Sequence, residues 1–299
     1  MPSASAALPP DPYDPEFCER EYNARAAIPN AADILAGWTE RARATRGRLR
    51  EQSGGAQAPL ELAYGPDAAE RLDLFPVARA DEPLLVFIHG GFWRSLSKDD
   101  FSWIAPPYLS RGISVAIPDY ALVPAVTLED IVRQMLAALA YLWRNGPTLG
   151  FDRRRIVVAG HSAGGHLAAM MACARWPQWG ADLPPDLVKA VLSVSGLHEL
   201  EPLRHAPFLA RDIALDAERA LRLSPAHMPP AAGVRVLSAV GGDESGEFHR
   251  QARLLAERWP GATGQPLVVP GAHHLAVCEQ LADPGSVLFE AAVRLCEGR

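Results

Sequence analysis

A chain of 299 residues that is 48% hydrophobic can fill the core of one large α/β unit or two small ones, and the lack of a long polar linker favours one. Its 29 Lys and Arg against 35 Asp and Glu give a formal net charge of −6. The one dense basic run, RARATRGRLR at residues 41–50, reads as the solvated face of a helix, which excludes nucleic acid from the expected partners.

The four cysteines, Cys18, Cys173, Cys278 and Cys296, lie far apart and lack the CxxC spacing that chelates zinc. They are expected as free thiols in a reducing compartment. The start has no basic segment followed by an apolar one, and no later run approaches ~18 uninterrupted apolar residues, so the expectation is a cytoplasmic protein without a membrane partner.

In chain order, five prolines within the first 15 residues predict an extended arm over 1–17, followed by one domain over 18–299. A helix follows, with Asn30 able to cap it, Asp33 at a dipole-favoured position, and Ile34, Leu35, Trp38 and Ala42 at helical spacing. PLELAYG and ERLDLFPV then read as an antiparallel pair at a sheet edge. Six near-continuous apolar runs come next: LLVFIHG (84–90), ISVAIPDY (113–120), RIVVAG (155–160), VKAVLSVSG (188–196), VRVLSAVGG (234–242) and QPLVVPG (265–271). Such runs are strands covered by helices on both faces of a mostly parallel sheet. Between two of them Leu128, Ile131, Val132, Met135, Leu136, Leu139, Leu142 and Trp143 form one helical stripe, opened by Thr127 and Asp130 and closed by Asn145, Gly146 and Pro147. From 197 to 232 the alternation pauses, and short helices and turns there predict a small partial cap between the sixth and seventh strands.

Chemistry concentrates at strand ends. VAGHSAGGH (158–166) places Gly160, Ser162 and Gly164 in a GxSxG pattern between a strand and the helix-forming HLAAMMACARW. The glycines remove β-carbons that would clash in a sharp strand-to-helix turn, and that turn lifts a serine hydroxyl clear of the sheet. A serine nucleophile needs a base and a hole for the developing oxyanion. HGGFW supplies the hole, because His89, Gly90 and Gly91 match the HGG type of oxyanion loop in α/β-hydrolases; the donors are the N–H groups of Gly90 or Gly91 with that of Ala163. Acid and base should follow in that order. GGDES offers Asp243 and Glu244, and GAHHL offers His273 and His274, two candidates for each role. His161 and His166 stand on the wrong side of the order, though His166 or His198 could line a pocket.

HGGFWRSLSKDD, GHSAGGHLAAMMACARW, VSGLHELEPL, GGDESGEFHRQ and GAHHL together resemble the kynurenine formamidase (arylformamidase) family of the α/β-hydrolase superfamily, from about Tyr22 to the end. The resemblance implies a cofactor-free, metal-free serine hydrolase that cleaves N-formylkynurenine to kynurenine and formate through a formyl-enzyme. Carried over by position, it puts the nucleophile on Ser162, the base on His274 and the oxyanion loop on His89, Gly90 and Gly91. The family's aspartate falls opposite Glu244, with Asp243 the alternative acid. An aromatic leaving group would meet Phe92, Trp93 and His89. Two rival readings stay open: a carboxylesterase acting on small or aryl esters, and a non-catalytic binding module on a hydrolase scaffold. Oligomeric state, a homodimer included, is not legible.

Overall fold

The computed structural model describes residues 13–52, 58–77 and 81–299. An eight-stranded sheet runs through it in the order β1-β2-β4-β3-β5-β6-β7-β8, with β1 Leu60–Ala63, β2 Arg71–Phe75, β3 Leu84–Ile88, β4 Ser114–Pro118, β5 Ile156–His161, β6 Val188–Val194, β7 Arg235–Gly241 and β8 Leu267–Val269. β1 pairs with β2 and β2 with β4 antiparallel; every other pair is parallel. This is the α/β-hydrolase fold, its parallel strands buried on both sides as their unbroken apolar runs require.

Helices α1 Pro15–Tyr22, α2 Ala31–Gln52, α3 Ala105–Leu109, α4 Leu128–Leu149, α5 Ala163–Ala172, α6 Trp176–Trp179, α7 Ala210–Ile213, α8 Ala217–Arg222, α9 Gly246–Arg258, α10 His274–Glu279 and α11 Val287–Cys296 divide between the two faces. Strand alternation sorts the core accordingly. Leu84, Val86 and Ile88 of β3 pack with α4, α5 and α9, whereas Leu85 and Phe87 pack with α2, α3, α10 and α11. Between β6 and β7, where the sequence suggested a cap, lie α7, α8 and two 3₁₀ turns, Glu201–His205 and Pro225–His227.

Three local expectations need correction. α1 starts at Pro15, inside the arm placed over 1–17, because Asp14 caps it by accepting from Phe17 N–H at 2.9 Å and proline suits the first helical turn; residues 1–12 of that arm lie outside the described residues. α4 does not close at Asn145–Pro147 but runs on to Leu149, and Gly150 ends it at φ +83°. A proline in a helix's last turn forfeits one hydrogen bond, and the left-handed glycine supplies the stop. The basic run on α2 is not all solvated. Arg46 ion-pairs with Asp73, which is fully buried on β2, and with Asp99 at 2.7 Å, while Arg41 lies over the Trp103 ring at 4.4 Å. Those contacts fasten α2 across the sheet edge, beside the loop that follows β3.

Candidate active site

Sheet order sets β3, β5, β6, β7 and β8 side by side, so the loops leaving their carboxyl ends meet. After β5 the chain turns at Ser162, held at φ 56° and ψ −118°, and enters α5. The turn leaves no room for side chains: a Cβ on Gly164 would stand 2.0 Å from the Ile88 carbonyl oxygen. Ser162 N–H donates to Val194 O at 2.8 Å, tying the turn to β6. Among the described residues six non-glycine positions have positive φ, and five of them, Phe92, Trp93, Leu96, Ser162 and Ser195, belong to these loops. Backbone strain of this kind persists where the surroundings over-determine it, and it gathers at functional sites.

Ser162, His161 and His274 line a narrow cleft with Gly91, Phe92, Leu96, Leu275, Leu35, Trp38 and Arg25. His274 opens α10 and is 5% exposed. Its Nδ1 meets Glu244 Oε2 at 2.6 Å, and Glu244 has a wholly buried side chain. The other carboxylate oxygen, Oε1, accepts from Gly241 N–H at 2.7 Å and from the Ser195 hydroxyl. Burial pushes the Glu244 carboxyl pKa up, but the attraction of His274 and the hydrogen bonds from His274, Ser195 and Gly241 outweigh it, leaving the group below its ordinary value. Neither Ser162 Oγ nor His274 Nε2 has a hydrogen-bond partner among the described residues, so both remain available to a bound substrate.

Adjacent candidates separate cleanly. Asp243 lines a neighbouring pocket and its carboxylate bonds to nothing among the described residues, whereas Glu244 meets the histidine. His273 is a helix cap, its Nδ1 accepting from Ala276 N–H at 3.1 Å, and His274 reaches the cleft. The N–H groups of Gly90, Gly91 and Ala163 have no acceptor among the described residues.

His89 and Trp93 do not line the cleft, contrary to expectation. His89 is fully buried, its Nδ1 bonded to Gly90 O at 2.8 Å and its Nε2 to Asp119 Oδ1 at 3.1 Å, and it stacks on Tyr120 with centroids 4.2 Å apart. It braces the loop rather than meeting a substrate. Trp93, also fully buried, stands perpendicular to His166 with ring centroids 5.2 Å apart. His166 and His198 are core histidines rather than pocket walls, and burial pulls both down to a pKa of about 4. Burial, and after it the neighbouring His274, takes His161 down to about 3; this neutral ring donates from Nε2 to His274 O at 2.8 Å.

Ser195, Trp38 and Arg25 were not foreseen as site residues. Ser195 looked like the tail of a strand, and the other two belong to an N-terminal segment with no motif.

A family model described as BD-FAE matches residues 72–210. Kynurenine formamidase of Salmo salar is 27% identical over 281 residues, covering 91% of this chain and 90% of that protein. The chain is an α/β-hydrolase similar to a kynurenine formamidase along nearly its whole length. Within the wider hydrolase group, a Silicibacter sp. TM1040 crystal structure provisionally described as a thioesterase superimposes with a TM-score of 0.81 at 32% identity, covering 93% of this chain and 98% of that one. The esterase LipC of Mycobacterium tuberculosis is 32% identical over 158 residues, only 50% of this chain. The protein is a hydrolase, and among its described residues no helix is long and apolar enough to cross a membrane.

Proposed function

We propose that this protein hydrolyses the formamide of N-formyl-L-kynurenine, releasing kynurenine and formate. The reading rests above all on the similarity to a kynurenine formamidase along 90% of that protein's length. His274 takes the proton from Ser162 as Oγ attacks the formyl carbon, and the N–H groups of Gly90, Gly91 and Ala163 hold the oxyanion. His274 then gives that proton to the departing arylamine nitrogen as the C–N bond breaks, leaving a formyl ester on Ser162. Water, deprotonated by His274, attacks the ester and frees formate and the serine. Glu244 fixes the imidazole orientation throughout and stabilises its charged form. Formyl carries only hydrogen on its carbonyl carbon, so the acyl side needs almost no room; the arylamine takes the cleft, where Phe92 offers an aromatic wall.

The test is formate release from N-formylkynurenine by the wild type and by Ser162→Ala. Loss of at least about 10³-fold is expected in the variant, and full retention would remove Ser162 from the mechanism. A second reading, cleavage of carboxylic esters or thioesters, is favoured by the Silicibacter protein, which this chain matches over 98% of its length. Comparing kcat/KM on N-formylkynurenine, p-nitrophenyl acetate and an acetyl thioester decides between them: a strong preference for either ester sinks the formamidase reading.

A further inference from the structure

The cleft that holds Ser162 is otherwise apolar, with Leu35, Trp38, Phe92, Leu96 and Leu275 in its walls and one fixed charge, Arg25. Arg25 belongs to the short segment joining α1 to α2, which is held in shape by Ala26 N–H and Ala27 N–H donating to Asn23 O and by Ile28 N–H donating to Arg25 O. Nearby arginines have carboxylate partners: Arg20 pairs with Glu21 at 3.2 Å, and Arg94 with Asp212 at 2.6 Å. Arg25 has no carboxylate in ion-pair reach among the described residues, and the one hydrogen bond its guanidinium makes to them runs from Nη2 to Ser95 Oγ at 3.3 Å. Partial burial, and after it the Arg94 guanidinium, pulls its pKa below the ordinary arginine value. Arg25 is solvent-exposed where it lines the cleft, and with no carboxylate to offset it there its charge is free to receive an arriving anion.

The geometry points to Arg25 as the anchor for a carboxylate carried on the leaving-group side of the substrate. This rests on the formamidase reading, in which the acyl part is a bare formyl and any carboxylate must sit on the amine. The neighbouring pocket, which shares His274, favours the same placement. Its charged lining is Arg20, Glu21, Asp243 and Glu244, an acidic balance that repels a carboxylate. The guanidinium fork suits planar, two-point recognition of a carboxylate, which a point charge provides less well.

The test compares kcat/KM for N-formyl-L-kynurenine with that for its α-carboxamide, in wild type, Arg25→Met, Arg25→Gln and Arg25→Lys, with fluorophosphonate labelling of Ser162 checking that each variant is folded. Wild type is expected to prefer the carboxylate by about 10- to 100-fold, the span of one charge-assisted interaction. That ratio should fall to within about twofold of one in Arg25→Met and Arg25→Gln, with Arg25→Lys between. A wild-type ratio near one, or a ratio unmoved in the neutral variants, overturns the assignment. The same ratio is read on 3-acetoxybenzoate against 3-acetoxybenzamide, esters whose leaving groups differ only in the carboxylate. If formamides are not turned over but the ester ratio depends on Arg25, the anchor stands and the formamidase reading falls; formamide turnover with an Arg25-independent ratio gives the reverse.

Discussion

Glu244 has both carboxylate oxygens occupied, one by His274 and the other by Ser195 and Gly241 N–H. A carboxylate held at both ends cannot rotate away, and the imidazole inherits that rigidity. Glu244→Gln should therefore cut kcat by roughly 10³- to 10⁴-fold, the scale known for amide replacement of a triad acid. Asp243→Asn should stay within about threefold in the same steady-state assay, and equal losses would reassign the acid. Ser195→Ala removes one of the two grips on Oε1 and should lower kcat by about tenfold with KM little changed. A KM effect instead would place Ser195 at the substrate. Two adjacent acids and two adjacent histidines carry no spacing signal that chooses between them. The turn after β7 makes the choice by folding Glu244 inward, and the start of α10 spends His273 on a cap. Arg25 and Ser195 were illegible for a related reason: only the fold brings each beside a partner remote in sequence, Arg25 into the cleft of Ser162 and Ser195 against Glu244.

At the scale of elements, the strands and the turn at Ser162 were readable because they obey local rules: continuous apolar runs for two-sided burial, and glycines where backbones nearly touch. The glycine rule makes a hard prediction. Gly164→Ala has to push apart α5 and the end of β3, whose Ile88 carbonyl lies 2.0 Å from the added carbon. The variant should lose about 3 kcal/mol, read as a lowered urea midpoint, and lose Ser162 labelling with it. Unaltered stability would mean that the turn can widen, and the close packing assigned to it would be wrong. What local rules could not reveal was the tertiary use of charge. RARATRGRLR has the composition of a solvated face, yet Arg46 points at Asp73 because β2 buries an aspartate that needs a cation. His89 likewise resembled a substrate contact until Asp119 and Tyr120 closed around it.

For the whole molecule, three buried histidines with lowered pKa values, His161, His166 and His198, set the acid limit. Their folded pKa values, about 3, 4 and 4, lie below the ordinary 6.5 of an unfolded chain. Above pH 6.5 both states hold these rings neutral, and the full stability is present. As pH falls below 6.5 the unfolded chain takes up protons that the fold refuses, until the folded values are reached. About three protons are then bound on unfolding near pH 5, so stability should fall there by about 4 kcal/mol per pH unit. Urea unfolding at pH 7, 6 and 5 measures this, and an unchanged free energy between pH 7 and 5 would contradict the buried neutral rings.

The path of the chain also separates two kinds of change. Nucleophile, oxyanion loop, acid and base hang from the central sheet, while the wall that carries Arg25 hangs from α1 and α2, moored to the rest by ties such as Tyr22 to Glu247 and Ser245 to Glu21 O. Mutational drift in the first fifty residues can therefore retune which amines are accepted without disturbing bond cleavage. Paralogues built on this plan should diverge first in diet and only later in chemistry.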